Sequence, residues 1–427
     1  MNLPGRERLR SSLLLQGSAW ILIALALQSV LGFAFWVAGS RVASTTELGR
    51  ASALYTGIQF VNYASGLGLT VALARHAVDR SRESDALFGW AIGATVVSSM
   101  VGGTWYLAAS SSASTDIVTG SPAGWILFGA YTAGSSIGLL ADVRLMAHHR
   151  WGFMVGRIAI TGLVRLALVP FHGDIEPDRW LYHLMLAPLA IGGVVAALLL
   201  PRVGAGRISF ARPAGLASVA RYSGVNWAAT LASQAPQFVL PLVVAQSVAS
   251  STYANFFLAW TVTGLVFLVP GAIAQVLLVE GAKDASGQPD REPRSDRARE
   301  ALGFSLGLAV LALLGAIVAG RLMVVLFGDG YRSAGRTLPL LMAAGIPWSV
   351  AAVRLAEARI RRDQLATVAI TMTLGLGILV PTVIWVPRHG TGGAVAAWLL
   401  GNAAAAIVAV ALHQRRRPVA RLGVASG

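Results

Sequence analysis

The chain has 427 residues, of which 55% are hydrophobic and 12% are charged, and its mean hydropathy is +0.65. A soluble domain carries about 25% charged residues, so this composition excludes a soluble protein and indicates a membrane protein with several spans. Basic loops beside the spans account for the net charge of +15, and we expect no nucleic-acid partner. The sequence has no cysteine, which excludes disulfides, a thiolate nucleophile and cysteine-ligated metal sites.

Apolar runs of about 20–25 residues follow one another along the chain, and each is long enough to cross a hydrocarbon core of about 30 Å. The first is too long for the core of a signal peptide, so we expect it to be retained as a span. The sequence predicts an all-α polytopic membrane protein with twelve transmembrane helices. The predicted spans, numbered 1 to 12, are residues 13–38, 51–73, 86–108, 122–147, 153–171, 181–200, 222–247, 253–278, 301–326, 337–358, 364–386 and 391–413.

The loop charges predict how the chain is oriented in the membrane. Most of the 34 Lys and Arg residues lie on one side, before span 1, after each even-numbered span and in the tail. The opposite loops hold Arg41, Arg50, Arg179, Arg332, Arg336 and Arg388. Because basic residues concentrate in cytoplasmic loops, both termini are predicted to be cytoplasmic. We expect a multi-pass protein of a bacterial cytoplasmic membrane.

Short matches recur about 206 to 210 residues apart and indicate an internal repeat. The matches are Gly17 and Trp20 with Gly224 and Trp227, VASTT at 42–46 with VASST at 248–252, and VRL at 143–145 with VRL at 353–355. Six spans per repeat give both halves the same orientation, so the repeat is parallel. The sequence predicts two six-helix lobes, residues 1–210 and 211–427, with a central cavity between them. The polar, mixed-charge loop 281–299 is predicted to be a cytoplasmic linker between spans 8 and 9.

Several segments resemble one family of membrane transporters. The step R-x-x-S-x-x-E-x-G at 41–49, GLG at 66–68, G-x-x-Y-x-x-A at 328–334 and GTGGAVAAWLLGN at 390–402 are similar to segments of bacterial polysaccharide and O-antigen flippases. These flippases belong to the multidrug/oligosaccharidyl-lipid/polysaccharide exporter superfamily. The resemblance covers nearly the whole chain and implies two six-helix lobes around a central cavity. Its motifs are structural, so it assigns no residue a role in substrate binding.

Span 7 carries an unusual set of polar residues for a membrane helix. They are Asn226, Thr230, Ser233, Gln234 and Gln237. At 100° per residue they form one stripe about 100° wide, which is predicted to face protein or a watery cavity and not lipid. Interhelical hydrogen bonding is the alternative to a cavity lining. Pro236 and Pro241 are candidate hinge residues, because they free two backbone carbonyls.

Other polar residues at membrane depth complete the candidate substrate-binding set. These are Gln28 in span 1, Gln59 and Asn62 in span 2, Asn255 at the start of span 8, and Arg165 in span 5. Arg165 is predicted to lie about 12 Å beyond Arg157, near mid-membrane, where an arginine is costly without water or a partner. It is a candidate ligand for a lipid-linked pyrophosphate through paired hydrogen bonds. A structural arginine bonded to carbonyls or to an acid is the alternative.

The leading functional prediction is a flippase that moves a polyprenyl-linked oligosaccharide across the membrane. A cation-coupled multidrug exporter of the same superfamily is the first alternative, but it would be expected to use an Asp or Glu at mid-membrane, and the sequence predicts none there. A non-transporting component of glycan assembly is the second alternative. We expect no enzymatic activity, no cofactor and no metal site. The predicted partners are the lipid-linked substrate and membrane lipids, with polysaccharide polymerase and glycosyltransferases as candidate protein partners.

Overall fold

A computed structural model describes residues 4–70, 73, 82–110, 112–213, 216–287, 295–361 and 363–415. These residues form α-helices joined by short turns and one 3-10 turn, with no strand among them. Nine of their helical stretches are long and apolar enough to cross a membrane. Spans 2 and 7 are not among the nine, and spans 11 and 12 are counted as one stretch. The chain therefore has the predicted all-α, polytopic membrane fold.

The chain divides into two compact units, Met1–Leu231 and Ala232–Gly427. The division falls inside a helix that the sequence assigns wholly to the second lobe, so the boundary at residue 210 stays a prediction. Apart from the four-residue helix Asp116–Thr119, the described helices that begin in the first unit are α1 Pro4–Val42, α2 Thr45–Ser65, α3 Arg82–Ala109, α4 Pro122–Ala147, α5 Trp151–Leu168, α6 Pro177–Leu199 and α7 Leu216–Ser247. Both candidate hinge prolines, Pro236 and Pro241, lie inside α7.

Local sequence explains where several of these helices begin. Ser44 precedes α2 and accepts a hydrogen bond from the Glu47 amide at 3.3 Å, while the Glu47 carboxylate accepts one from the Ser44 amide at 2.7 Å. This reciprocal pair satisfies two amides at the helix start. Ser121 accepts from the Gly124 amide at 3.2 Å and is followed by Pro122, a residue suited to the first helical position. The turns between spans therefore stop and restart helices over a few residues.

The second unit is also helical throughout its described part. Its helices are α8 Ser250–Gly287, α9 Ser295–Phe327, α10 Arg332–Ala343, α11 Gly345–Ile360 and α12 Gln364–Arg415. Predicted span 10 corresponds to α10 and α11, which follow each other with one residue, Ala344, between them. The helix α8 extends into the predicted linker 281–299 and ends at Gly287, and α9 begins within the linker at Ser295. Residues 288–294 of that linker lie outside the described residues.

The element α12 consists of two helical segments that form a hairpin, and these segments are predicted spans 11 and 12. Its backbone leaves the helical conformation at Gly390, where φ is 55° and ψ is −134°. The segments on either side of Gly390 pack against each other, because a Cβ built on Gly377 would lie 3.1 Å from the Gly401 Cα. Glycine adopts positive φ at little cost, so Gly390 lets the chain reverse within a single residue. The two predicted spans are therefore two packed segments with almost no loop between them.

Packing inside the first unit uses aliphatic side chains and close backbone approaches. Phe88 of α3 and Leu145 of α4 are fully buried, in a cluster that also contains Met154 of α5 and Leu200 after α6. Large apolar residues on the outward faces, such as Val97, are exposed. A helix that is apolar on its exposed face is expected where that face meets lipid.

Two hydrogen bonds join the end of α2 to α7 within the first unit. Trp227 Nε1 donates to the Ala64 carbonyl at 2.7 Å, and the Tyr63 hydroxyl donates to the Leu231 carbonyl, also at 2.7 Å. Both donors are amphipathic aromatic groups whose polar atoms need partners when they are partly buried. These bonds attach the first half of α7 to the preceding helices of the unit.

Candidate functional site

The polar stripe predicted on span 7 lies on α7. The side chains of Asn226, Thr230 and Ser233 lie outside the part of the structure that describes side chains. Gln234 and Gln237 are both exposed in the second unit. A residue that binds substrate has to be accessible, and these two residues are. The role itself stays a prediction.

Asn62 of α2 makes hydrogen bonds to the neighbouring helix α4. Its Nδ2 donates to the Ser135 hydroxyl at 3.0 Å, and its Oδ1 accepts from the Ser136 hydroxyl at 2.7 Å. The amide therefore uses both of its ends in helix packing. Gln59, on the same helix, is half-buried, and Gln28 of α1 is exposed.

Asn255 of α8 holds the start of α10 in place. Its Oδ1 accepts from the Ala334 amide at 3.0 Å, and its Nδ2 donates to the carbonyls of Gly330 and Ser251 at 3.1 Å and 3.0 Å. The side chain is 6% exposed. An amide that accepts from one of the first amides of a helix acts as a cap, so the observed contacts are structural.

Arg165 lies in the last turn of α5, nearer to the end of its helix than the sequence suggests, and is only 3% exposed. Its Nε donates to the Thr161 carbonyl at 3.3 Å, and its Nη1 lies 3.2 Å from Met185 Sδ of α6. Helical side chains tilt towards the helix N-terminus, so the guanidinium lies deeper than its Cα. Met185 is about 12 Å along α6 from the start of that helix, at 1.5 Å per residue. The guanidinium therefore lies near the level of Thr161, about 10 Å before the end of α5 at Leu168.

Arg165 differs from the other buried or half-buried arginines of the described residues. Arg50, Arg144, Arg157 and Arg354 each form an ion pair, with Asp178, Asp85, Asp142 and Glu357 respectively. The contacts of Arg165 are a carbonyl and a thioether, and Tyr55 of α2 lies nearby. Among the described residues, Arg165 is therefore the buried arginine without a carboxylate partner. Its positive charge is not neutralised locally.

Sequence reasoning missed a cavity of about 190 Å³ within the second unit. Of the site residues predicted from the sequence, Gln234 of α7 lines this cavity. Trp348 and Arg359 of α11 and Thr371 of α12 also line it. Trp348 and Arg359 are eleven residues apart, about three helical turns, and so lie on one face of α11. That spacing is a usable signal, but predicted span 10 ends at residue 358 and so places Arg359 in the cytoplasmic loop that follows.

A second cavity, of about 300 Å³, lies within the first unit. Its walls are almost entirely apolar and include Leu73, Leu87 and Trp90, with Ser223 and Trp227 from α7. It contains none of the candidate site residues predicted from the sequence. Its lining suits hydrocarbon better than a sugar or a phosphate.

Comparison with known proteins identifies the fold. No protein-family model matches the sequence, and no curated protein matches it. A multidrug resistance MATE family transporter of the MOP superfamily, in an inward-facing conformation, is similar in structure, with a TM-score of 0.67 at 14% identity over 92% of this chain and 97% of that one. The lipid II flippase MurJ, in an inward closed conformation, gives a TM-score of 0.69 at 12% identity over 92% of this chain and 87% of that one.

A third similar structure is a MOP superfamily transporter from Pyrococcus furiosus, with a TM-score of 0.55 at 12% identity over 95% of each chain. Such low identities establish likeness of fold and leave the substrate open. All three are transporters or flippases, and their likeness covers nearly the whole chain. The chain is a multi-pass membrane protein with the fold of the MOP superfamily transporters.

Proposed function

We propose that this protein moves a lipid-linked oligosaccharide, a polysaccharide repeat unit on a polyprenyl diphosphate, across the bacterial cytoplasmic membrane by alternating access. The similar structures include both a lipid II flippase and multidrug transporters, so the fold is compatible with either substrate class. The choice between them depends on the electrostatics of the membrane-embedded helices.

The observation that carries the proposal is the buried, unneutralised guanidinium of Arg165. An arginine remains charged in proteins, and in a medium of low dielectric constant its field extends much further than in water. A positive field inside the apolar layer attracts a diphosphate and opposes a cationic drug. Because Arg165 is 3% exposed, its action on the substrate is through this field unless the transporter opens around it.

The carboxylates of the described helices also favour a lipid diphosphate over a cationic drug as the substrate. The buried acids Asp142, Asp178 and Glu357 are each paired with an arginine. A coupling cation or cationic drug bound at any of them has to displace that arginine and leave it unpaired, which is costly in a buried site. The multidrug exporter remains the alternative, because MATE transporters share this fold.

Reconstituted transport tests the proposal directly. The purified full-length protein is placed in liposomes with a fluorescently labelled polyprenyl diphosphate-linked glycan, and its appearance in the opposite leaflet is followed by quenching with a membrane-impermeant reductant. We expect protein-dependent flipping, and a drop of at least about tenfold in Arg165→Gln, as for loss of a charged interaction.

Arg321→Gln is the matched control, since Arg321 is an exposed arginine in the apolar helix α9. This variant is expected to flip the glycolipid at the wild-type rate. Uptake of ethidium into the same liposomes, driven by a proton or sodium gradient, is measured in parallel. Ethidium transport without glycolipid flipping would overturn the proposal in favour of the multidrug exporter.

A further inference from the structure

The cavity of about 190 Å³ in the second unit combines groups that recognise sugars and phosphates. It lies among α7, α8, α11 and α12, and its polar wall is formed by Gln234, Trp348, Arg359 and Thr371. The remaining wall is mostly apolar and includes Ala352 and Leu374. At about 30 Å³ for each water molecule, the volume holds about six waters, which is the scale of one sugar ring and not of a whole oligosaccharide.

Trp348 supplies both an aromatic surface and an unused hydrogen-bond donor. Its ring packs against Phe267 with ring centroids 6.5 Å apart and an angle of 14° between the planes. Its Nε1–H is buried and has no acceptor among the described residues. A buried indole N–H normally has a partner, so an acceptor on a ligand in the cavity would satisfy it. Sugar hydroxyls are acceptors of this kind.

Gln234 and Thr371 line the same cavity from two other helices. Gln234, on α7, is exposed, and Thr371, on α12, is half-buried. The Gln234 amide offers two donors and an acceptor, and the Thr371 hydroxyl, which donates to the Thr367 carbonyl at 2.8 Å, offers acceptor lone pairs. This mixed set matches the hydroxyls of a sugar ring, each of which donates and accepts.

Arg359 adds a cation at one end of the cavity. It lies about 16 Å beyond Trp348 along α11, one residue before the helix ends, and its side chain is exposed. The nearby Arg354 is paired with Glu357, whereas the ion pairs of the described residues do not include Arg359. A planar guanidinium in this position is suited to a phosphate or diphosphate.

We propose that this cavity is a binding site for the head group of the lipid-linked substrate, with the first sugar against Trp348 and Gln234 and the diphosphate at Arg359. The inference rests on the proposed function and adds to it a named site in the second unit. The site recognises a glycosyl diphosphate, so it distinguishes a glycosylated lipid from a bare lipid diphosphate by the sugar contacts alone.

Binding of short-chain lipid diphosphates to the purified full-length protein tests the site. The bare probe is farnesyl diphosphate. The glycosylated probes are the same lipid with glucose, galactose or N-acetylglucosamine on the diphosphate. We expect at least one glycosylated probe to bind about tenfold more tightly than farnesyl diphosphate, in line with two or three additional hydrogen bonds.

The variants separate the sugar contacts from the phosphate contact. Gln234→Ala and Trp348→Phe, which keeps the ring and removes the N–H, are each expected to weaken the glycosylated probe about fivefold and to leave farnesyl diphosphate unchanged. Arg359→Gln is expected to weaken both probes about tenfold, because the diphosphate is common to them. Gln234 is exposed, so its substitution tests the site even if Trp348→Phe folds poorly.

Matched controls are available for the amide and for the arginine. Gln246→Ala removes an exposed amide from the same helix, Arg361→Gln removes an exposed arginine two residues beyond Arg359, and neither residue lines the cavity. Equal affinity for glycosylated and bare probes, or site variants that behave like their controls, would overturn the site and leave the proposed function standing. If the protein binds neither probe, the proposed function fails, and the site fails with it.

Discussion

At the scale of single residues, the buried charge of Arg165 is expected to lower stability while it serves the proposed function. A buried charge without a counter-ion destabilises the fold, and replacing it with an apolar residue of similar size is often neutral or stabilising. The surrounding Thr161 carbonyl and Met185 thioether offset little of that cost. A residue retained at such a cost is a candidate for function.

Arg165→Met is therefore expected to leave the thermal unfolding midpoint unchanged or to raise it by a few degrees, because the apolar side chain removes an unneutralised charge. The same variant is expected to lose glycolipid flipping in liposomes. Differential scanning fluorimetry in detergent and the flipping assay provide the two measurements. A large fall in the midpoint together with loss of flipping would indicate a structural arginine.

Arg165→Lys gives the matched test of charge. Lysine keeps the positive charge but loses the planar donor group, so partial flipping is expected if the field of the side chain matters. Flipping equal to that of Arg165→Met would show that charge alone does not support transport.

The amides that the sequence selects have different environments in the structure. Asn62 bonds to two serines of a neighbouring helix, and Asn255 caps a helix, whereas Gln234 and Gln237 are exposed. An amide in an apolar segment has the same sequence signature whether it packs helices or lines a cavity. Sequence therefore finds the polar residues, but their partners come from tertiary contacts between distant parts of the chain.

At the scale of elements, Asn255 connects α8 to the start of α10. Asn255→Ala removes the acceptor of the Ala334 amide and the donor to the Gly330 carbonyl. Loss of a cap costs about 1–2 kcal/mol, and we expect the thermal unfolding midpoint to fall by about 3 °C or more. Transport per folded molecule is expected to be unchanged if the role of Asn255 is structural.

Asn402→Ala is a suitable control for this change. Asn402 is a buried amide of α12 whose Nδ2 donates to the Trp398 carbonyl of its own helix, while its Oδ1 has no partner among the described residues. Within the described part of the chain it makes no hydrogen bond to a second helix, so its loss is expected to be less costly. Loss of transport in Asn255→Ala at full stability would instead support the predicted substrate contact.

The hairpin in α12 depends on a conformation that suits glycine. Gly390→Ala places a side chain at φ 55° and ψ −134°, and a non-glycine residue in such a region costs about 1–3 kcal/mol. A Cβ there would meet Val248 Cγ1 at an ordinary 3.4 Å, so the cost is one of backbone strain. We expect a clear fall in the unfolding midpoint.

Gly392→Ala is the control for the hairpin, because a Cβ on Gly392 meets no atom within 4 Å. Alanine in a helix is more stable than glycine by about 0.5–1 kcal/mol, so this variant is expected to unfold at the same temperature or higher. Equal falls in both variants would contradict a special role for the Gly390 conformation.

The spans were predictable because apolar runs of membrane length have few alternative structures. The turns between them were less predictable, since the chain reverses at Gly390 within one residue and α8 and α9 both extend into the predicted linker 281–299. Helix ends depend on caps and backbone contacts that hydropathy does not record. The cavity around Trp348 was missed for a similar reason, because it is formed by residues from four helices.

At the scale of the whole molecule, two arginines form ion pairs near helix ends that the sequence predicts to be cytoplasmic. Arg144 of α4 pairs with Asp85, and Arg354 of α11 pairs with Glu357. These two arginines belong to the VRL segments that recur in the two halves of the sequence. Both units thus place an ion-paired arginine at matching positions of the predicted repeat, while each uses a different acid.

The orientation of the whole chain can be tested because the protein has no cysteine. Asp174, in the turn before α6, and Arg202, in the turn after it, are both exposed, and the charge distribution places them on opposite sides of the membrane. We expect Asp174→Cys to react with a membrane-impermeant maleimide in intact cells with an accessible cytoplasmic membrane, and Arg202→Cys to react only after permeabilisation. The wild-type chain supplies the blank, and a permeant maleimide confirms that both thiols are reactive. The reverse pattern would place the termini outside the cell and show that the arginine-rich loops do not set the orientation.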